Sequence, residues 1–417
     1  MSTTRILLAA DLHLGGPVAA PDAALTAQAA QSRAQSLERL VELSRRQGVD
    51  LVLLPGDVFH APDPPLGAVL ALQKALDAWE QMGARVFIAP GNHDPWLPGG
   101  VWESWPAGPG LTIFGPQAQG VELAEEGLWV AGMAHASERE SRDLSQLLPP
   151  PPPGRTGLAV LHANIASAPK PGDHEPYAPA SLQNLLTGPF ALWALGHIHI
   201  PQELSPHPWV LYAGTLQGAH MGESGPKGAW LLELAGGSLS AEFVSLAPLM
   251  FHDVVRDDLM GLESPAALVA RVREKMEAPA SPWPQEHCLR LKLAGPSPLW
   301  RMLGREEPQD VAASLKREMG LGGLVLDMNS LCPPADPEAL AARPDVLGRT
   351  LALIAQAQED PELLAALERE LAGSLHPDQR RLLPEERRAW LAGLLEEGRA
   401  LALRGLWQGG PENGDAA

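Results

Sequence analysis

The sequence predicts an α/β sandwich flanked by helices, then a small α+β domain, then a helical C-terminal region. Three observations lead there. In the first third of the chain, short apolar runs of strand length alternate with longer stretches of helical period, the pattern of parallel β-α units. From Leu111 the runs become short and separated by turns, as in a second, mixed sheet packed on the first. Beyond Pro333, Leu and Ala alternate with charged residues at helical period.

The elements follow in order. Arg5–Ala10 reads as a central strand covered on both faces, and it ends in Asp11-Leu12-His13. Period-two alternation in an extended segment predicts that Asp11 and His13 point the same way. Ala24–Gln47 predicts a helix with Gly48 as its stop. Asp50–Leu54 is a second buried strand, ending in Pro55-Gly56-Asp57. Leu66–Met82 is the next helix, and Arg85–Ala89 the third strand, which delivers Gly91-Asn92-His93-Asp94. Each unit therefore sets a metal-competent residue at the carboxyl end of a strand, where open α/β sheets place their ligands. Trp96, Trp102 and Trp105 follow in a loop rich in Pro and Gly. They read as loop anchors, with an aromatic lip for stacking bases as the alternative.

The second sheet is expected from Leu111–Phe114, Val121–Leu123, Leu128–Gly132, Gly157–Leu161, Phe190–Leu195, Trp209–Ala213, Ala229–Leu234 and Leu239–Ser245. Leu147–Arg155, with its proline run, reads as an exposed loop. Two of these strands end in histidine, His162 and Gly196-His197-Ile198-His199. His197 and His199, two apart, are expected to point the same way. Residues 1–248 form the first domain on this reading. Residues 249–333 form the α+β domain, whose first helix starts at Ser264-Pro265, with Ser as N-cap. Residues 334–408 are helical (Leu347–Gln358, Pro361–Leu371, Pro384–Leu403), and 409–417 form a disordered tail.

Bulk properties bound the function. With 31 Lys and Arg against 50 Asp and Glu, the net charge is −19, which argues against general electrostatic capture of nucleic acid. Two cysteines in 417 residues suggest a reducing compartment. No signal peptide and no apolar run long enough to span a bilayer are evident, so the chain is expected to be cytoplasmic, without a membrane partner.

The strand-end residues are Asp11, His13, Asp57, Asn92, His93, His162, His197 and His199. Carboxylate, imidazole and amide oxygen suit Mn²⁺, Fe²⁺ or Zn²⁺, with no thiolate to force zinc. Eight groups exceed the need of one ion, and an aspartate bridging two divalent ions accounts for the number. Such a pair activates water and clamps a phosphoryl group for in-line displacement. One histidine is then left over. His93, beside Asn92, is the candidate to stabilise the transition state or protonate the leaving oxygen. The other histidines, at 135, 174, 207, 220, 252, 287 and 376, are read as structural.

This ordered set resembles the calcineurin-like metallophosphoesterases, over roughly the first 245 residues, which implies the four-layer metallophosphoesterase β-sandwich flanked by helices. Ala10-Asp11-Leu12-His13-Leu14, Gly56-Asp57-Val58-Phe59-His60 and Tyr212-Ala213-Gly214-Thr215-Leu216-Gln217-Gly218, followed by Gly225-Pro226-Lys227-Gly228, resemble the SbcD/YhaO-type DNA repair exonucleases. The resemblance implies one metal on Asp11, His13, Asp57 and His199, and another on Asp57, Asn92, His162 and His197. It implies His93 as the transition-state histidine and His60 near the scissile phosphate. Manganese is the implied metal and DNA the implied substrate. An SbcC-type, SMC-like ATPase is the implied partner, bound through the C-terminal helices; those helices read alternatively as a lid on their own core. A homodimer is a further expectation. Candidate basic contacts for DNA are Gly154-Arg155, Lys170 and Lys227. The alternatives are a phosphodiesterase for a small nucleotide and a non-catalytic metal-binding subunit of a repair complex.

Overall fold

The computed structural model describes residues 3–20, 23–106, 108–168, 177–258, 262–276, 281–374 and 387–406. Strands β1 (Thr4–Leu8), β2 (Leu51–Leu54), β3 (Arg85–Ile88) and β4 (Leu111–Ile113) run parallel, with helices α1 (Thr26–Gln47) and α2 (Leu66–Gln81) joining the first three. Next come β5 (Gln119–Leu123), β6 (Leu128–Gly132) and β7 (Thr156–His162), and a short parallel ladder of β8 (Asn164–Ile165) and β9 (Pro179–Ala180). Helix α3 (Leu182–Thr187), β10 (Leu192–Gly196), β11 (Gln202–Pro206) and β12 (Trp209–Tyr212) follow. The hairpin β13 (Gly228–Ala235) and β14 (Ser238–Ser245) closes this part. One sheet has the order β14-β13-β1-β2-β3-β4, the other β11-β12-β10-β7-β6-β5.

Alternation along the central strands explains the layering. Ile6 and Leu8, Leu51 and Leu53, and Phe87 face the second sheet, where they meet Leu158, Val160, Leu192, Ala194 and Leu211. Their neighbours Leu7, Val52, Leu54, Val86 and Ile88 face α1 and α2 and pack on Leu37, Leu40, Leu72 and Trp79. On the far side of the second sheet, Leu161, Trp193, Leu195 and Tyr212 pack against Leu185 of α3. The order is helix, sheet, sheet, helix. Gly48 ends α1 in the left-handed region at φ +60°.

Strand grouping departs from the expectation. β4, β13 and β14 belong to the first sheet, and β13 lies antiparallel to β1. A local pattern of apolar residues says that a strand is buried but not which sheet it joins. The hairpin turn at Gly236 and Gly237 has positive φ at both residues (59° and 84°), as a tight right-twisted hairpin requires. β11 was not foreseen, because Gln-Glu-Leu-Ser-Pro is a polar edge strand, with an irregularity between Glu203 and Ser205.

The chain folds as two compact units, Met1–His252 with Ala278–Cys288, and Asp253–Glu277 with Leu289–Ala417. In the second, β15 (Leu249–Asp258, which starts in the first unit), β16 (Glu286–Pro296) and β17 (Gly323–Cys332) form a three-stranded sheet. Helices α4 (Pro265–Lys275), α5 (Trp300–Leu303) and α6 (Pro308–Met319) cover it through Leu268, Val272, Leu303, Val311 and Leu315. Ser264 caps α4, its Oγ accepting the Ala267 N–H at 3.2 Å. Helices α7 (Pro337–Ala341), α8 (Val346–Glu359), α9 (Pro361–Ser374) and α10 (Arg387–Leu406) follow. Leu347 and Leu351 of α8 pack on Ala400 and Leu403 of α10, and Arg404 donates to the Asn329 carbonyl of β17 at 2.8 Å. The tail beyond Gly409 lies outside the described residues. Among the described residues no helix is long and apolar enough to cross a membrane.

The sandwich interior carries the stability of the first unit. Leu158→Ala, at a residue 1% exposed between the sheets, is expected to cost about 2–5 kcal/mol. Leu66→Ala, at a residue 71% exposed, is expected to stay within about 0.5 kcal/mol. Urea unfolding followed by tryptophan fluorescence distinguishes the two.

Candidate metal centre

The strand ends of both sheets meet at one edge of the sandwich. β1, β2 and β3 supply Asp11 and His13, Asp57, and Asn92 and His93, while β7 and β10 supply His162, His197 and His199. Asp11, His13, Asp57, His162 and His197 are buried. Asn92, His60 and His199 are half-buried, and His93 is exposed.

The turns that carry these residues are under local constraint. Asp11, His13, Asp57 and His197 all have left-handed backbones, with φ of 50°, 45°, 50° and 99°. Such conformations are unfavourable for residues with a Cβ, and they cluster where a site over-determines the backbone. Asp11 and His13 therefore do not lie on an extended strand, because β1 stops at Leu8 and the chain coils after it. Glycine is required beside them. A Cβ on Gly56 would stand 2.4 Å from His162 Nδ1, and one on Gly91 would stand 2.3 Å from Asp57 Oδ1. Asp94 ties two turns together. Its carboxylate accepts the N–H groups of Gly91 at 2.8 Å and of Asp57 and Phe59 at 3.1 Å.

The polar atoms at the centre are arranged to suit a cation. His162 Nδ1 lies 3.0 Å from the Pro55 carbonyl and must donate to it. Burial pushes the His162 pKa well down, so the ring is neutral and Nε2 keeps its lone pair. That lone pair faces the Asn92 Oδ1 acceptor at 2.9 Å and Asp57 Oδ2 at 3.4 Å. His197 Nδ1 stands 3.2 Å from the same amide oxygen. On the other side, His199 Nδ1 donates to Glu223 Oε1 at 2.6 Å, which leaves Nε2 as the ring position for a ligand bond. It faces His13 Nε2 at 3.1 Å and Asp11 Oδ1 at 3.9 Å. Burial lowers the His13 pKa as well. Burial first, and then the facing Asp57, raises the Asp11 pKa.

Acceptors that converge in a buried place gain from a positive ion between them. The donor set fits divalent ions that take nitrogen and oxygen ligands. Ligand atoms of Asp11, His13 and His199, and those of Asp11, Asp57 and His162, lie within 4.8 Å of one another. Asp57 Oδ2 reaches both sides, 3.8 Å from His13 Nε2 and 3.4 Å from His162 Nε2. These are candidate ligands for a dinuclear centre.

Residues 4–201 match the family profile of the calcineurin-like phosphoesterases. The chain carries a calcineurin-like phosphoesterase domain. It is 29% identical over 309 residues to the uncharacterized metallophosphoesterase YhaO of Bacillus subtilis, covering 70% of this chain and 72% of that one. It is 25% identical over 279 residues to the DNA double-strand break repair protein Mre11 of Haloferax volcanii, covering 65% of this chain and 58% of that one. A dimetal phosphatase from Danio rerio shares 12% identity over 58% of this chain and 98% of its own, with a TM-score of 0.38.

Within this phosphoesterase domain the structure brings all nine expected site residues to one edge, but His197 and His199 do not point the same way. His197 turns to Asn92 and His162, whereas His199 turns to His13 and Asp11. The left-handed backbone at His197 breaks the alternation that would have aimed them together. His60 sits beside His13, with their Nδ1 atoms 3.4 Å apart, and its ring stacks on His93 at 5.4 Å. His93 is fixed by its N–H, which donates to Asp57 Oδ1 at 2.9 Å, and by Nδ1, which donates to the His60 carbonyl at 3.1 Å. Three supporting residues were not foreseen. These are Asp94, Glu223 and His135, whose buried Nε2 donates to the His162 carbonyl at 2.7 Å. Asp94 stood in the Gly91–Asp94 turn without a role of its own, and Glu223 is an ordinary loop acid that no periodicity marks.

The expected surface role of Lys227 is corrected, and the remaining candidates are placed. Lys227 is 2% exposed, and its Nζ donates to the His199 carbonyl at 2.9 Å, so it is no surface contact for DNA. Arg155 is paired with Glu122 at 2.6 Å. Lys170 lies outside the described residues, as do His174 and His376. Trp102 is buried and donates to the Asp94 carbonyl at 2.7 Å, while Trp96 and Trp105 pack on the helix-side core. They anchor the loop.

A cation bound here stabilises the fold by mass action, by about 2.7 kcal/mol at a hundredfold excess over its Kd. Adding Mn²⁺ to chelator-treated protein is expected to raise the unfolding midpoint. Gly56→Ala, which drives a Cβ into His162, is expected to shrink that gain. Superimposable melts with chelator and with metal would contradict the assignment.

Proposed function

We propose that this chain is a manganese-dependent phosphodiesterase that degrades DNA from its ends in repair, acting in the cytoplasm. The observation that carries the reading is the pair of acceptor-lined subsites sharing Asp57, with the exposed ring of His93 at their edge. Similarity to Mre11, named for DNA double-strand break repair, and the exonuclease-like motifs at Gly56–His60 and Tyr212–Gly228 support DNA as the substrate.

On this reading Asp11, His13, Asp57 and His199 hold one ion, and Asp57, Asn92, His162 and His197 the other. When bound, the pair supplies Lewis acidity at the phosphoryl oxygens and an activated water. The protein's own groups do the rest. Asp57 holds the His93 backbone, and the His60 carbonyl fixes the Nδ1–H of His93. His93 Nε2 is then the atom that steadies the transition-state charge or protonates the leaving oxygen. His60, stacked on His93, lies next to the scissile phosphate.

The acidic chain does not capture duplex DNA by itself on this account. An SbcC-type ATPase brings the DNA, docking on the C-terminal helices, where Leu353 and Leu401 are 63% and 64% exposed. The protein with Mn²⁺ is expected to shorten end-labelled duplex DNA when that partner is present, and to do so far more slowly without it. His93→Ala is expected to lose about 10²–10⁴-fold in rate while keeping its bound manganese. Full activity in His93→Ala would refute that residue's role. Cleavage of bis-p-nitrophenyl phosphate without any attack on DNA, partner present, would refute the DNA reading in favour of a small nucleotide.

A further inference from the structure

The stretch from Tyr212 to Gly228 is not explained by the ligand set alone. In the fold it closes around one ligand, His199. Beyond β12 the chain turns at Gly214, with φ +72°, where a Cβ would meet Pro201 N at 2.6 Å. The Thr215 N–H then donates to the His199 carbonyl at 3.3 Å, and Thr215 Oγ1 donates to the Asp11 carbonyl at 2.5 Å. Lys227 Nζ reaches the same His199 carbonyl at 2.9 Å. The His199 main chain is thus held from two sides.

Its ring is held by Glu223. Oε1 accepts from His199 Nδ1 at 2.6 Å, and Oε2 accepts the Ala219 N–H at 2.6 Å. The carboxylate bridges the loop backbone and the imidazole. It holds the Nδ1 side of the ring, so Nε2 is the nitrogen turned toward Asp11 and His13. A carboxylate partner also makes the imidazole a stronger donor to a metal. His162 differs, because its Nδ1 is held by the neutral Pro55 carbonyl. The two subsites are therefore supported by unlike groups.

We propose that Glu223 and Lys227 are positioning residues for His199. They set the affinity of the ion that His199 shares with Asp11 and His13, and leave the ion at Asn92, His162 and His197 unaffected. The proposal rests on the two-ion reading given above.

The test is a Mn²⁺ titration of the metal-free full-length chain, with free Mn²⁺ followed by its electron paramagnetic resonance signal. Wild type is expected to take up two ions. Glu223→Ala is expected to keep one at unchanged affinity and to bind the other about 10–100-fold more weakly. The retained ion shows that the variant is folded. Glu223→Gln keeps one acceptor oxygen and is expected to fall between the two. Lys227→Met is expected to weaken the same ion by less, because the Thr215 N–H still holds the carbonyl. Two ions at wild-type affinity in Glu223→Ala, or an equal loss of both, would overturn the proposal. Fewer than two ions in wild type would overturn the two-ion reading first, and this inference with it.

Discussion

A lone pair facing an acceptor oxygen at 2.9 Å, inside a folded protein, is the constraint around which this chain is built. His162 Nε2 and Asn92 Oδ1 both offer electrons, and Asp57 adds a carboxylate oxygen 3.4 Å from that nitrogen. Uncompensated, the arrangement is repulsive and desolvated, and folding would oppose it. The surrounding structure forces it nonetheless. The Pro55 carbonyl fixes the His162 tautomer, and glycines at 56 and 91 make room for the ring and the carboxylate. Asp94 ties the turn after β2 to the turn after β3. Four left-handed non-glycine residues store strain at the same edge. A cation held between these acceptors would turn their repulsion into contacts.

The sandwich serves this edge. Parallel strands in each sheet carry their turns to the same end, and the packing of Leu8, Leu53 and Phe87 on Leu158 and Ala194 sets the two groups of turns against each other. Ligands from one sheet alone would have no partner. Electrostatics follows the same logic. The buried acids Asp11 and Asp57 need positive charge, and the buried Lys227 spends its charge on the His199 carbonyl. The acidic chain is thus compatible with phosphate chemistry at a metal centre.

Much of this was legible in the sequence. The three β-α units and the identity of the strand-end residues were readable because apolar runs of strand length stop at Asp11, Asp57, Asn92, His162 and His197. Aim was not readable. Period-two alternation describes extended chain, and Asp11, His13 and His197 are not extended, so the direction of each side chain depended on backbone that only the fold defines. Sheet membership of β13 and β14 was hidden for a related reason, since strand partners lie far apart along the chain and local pattern does not encode them. The supporting roles of Glu223 and His135 were invisible because a contact between residues far apart in the chain follows no spacing rule. Lys227 looked like a surface cation until burial placed it beneath His199.

The central claim is that converging acceptors define two cation subsites with one shared carboxylate. It is tested most directly by anomalous diffraction from crystals of the chain grown with Mn²⁺. The account predicts two peaks. One should be flanked by Asp11, His13 and His199, the other by Asn92, His162 and His197, with Asp57 touching both. A single peak, or peaks away from Asp57, would contradict it.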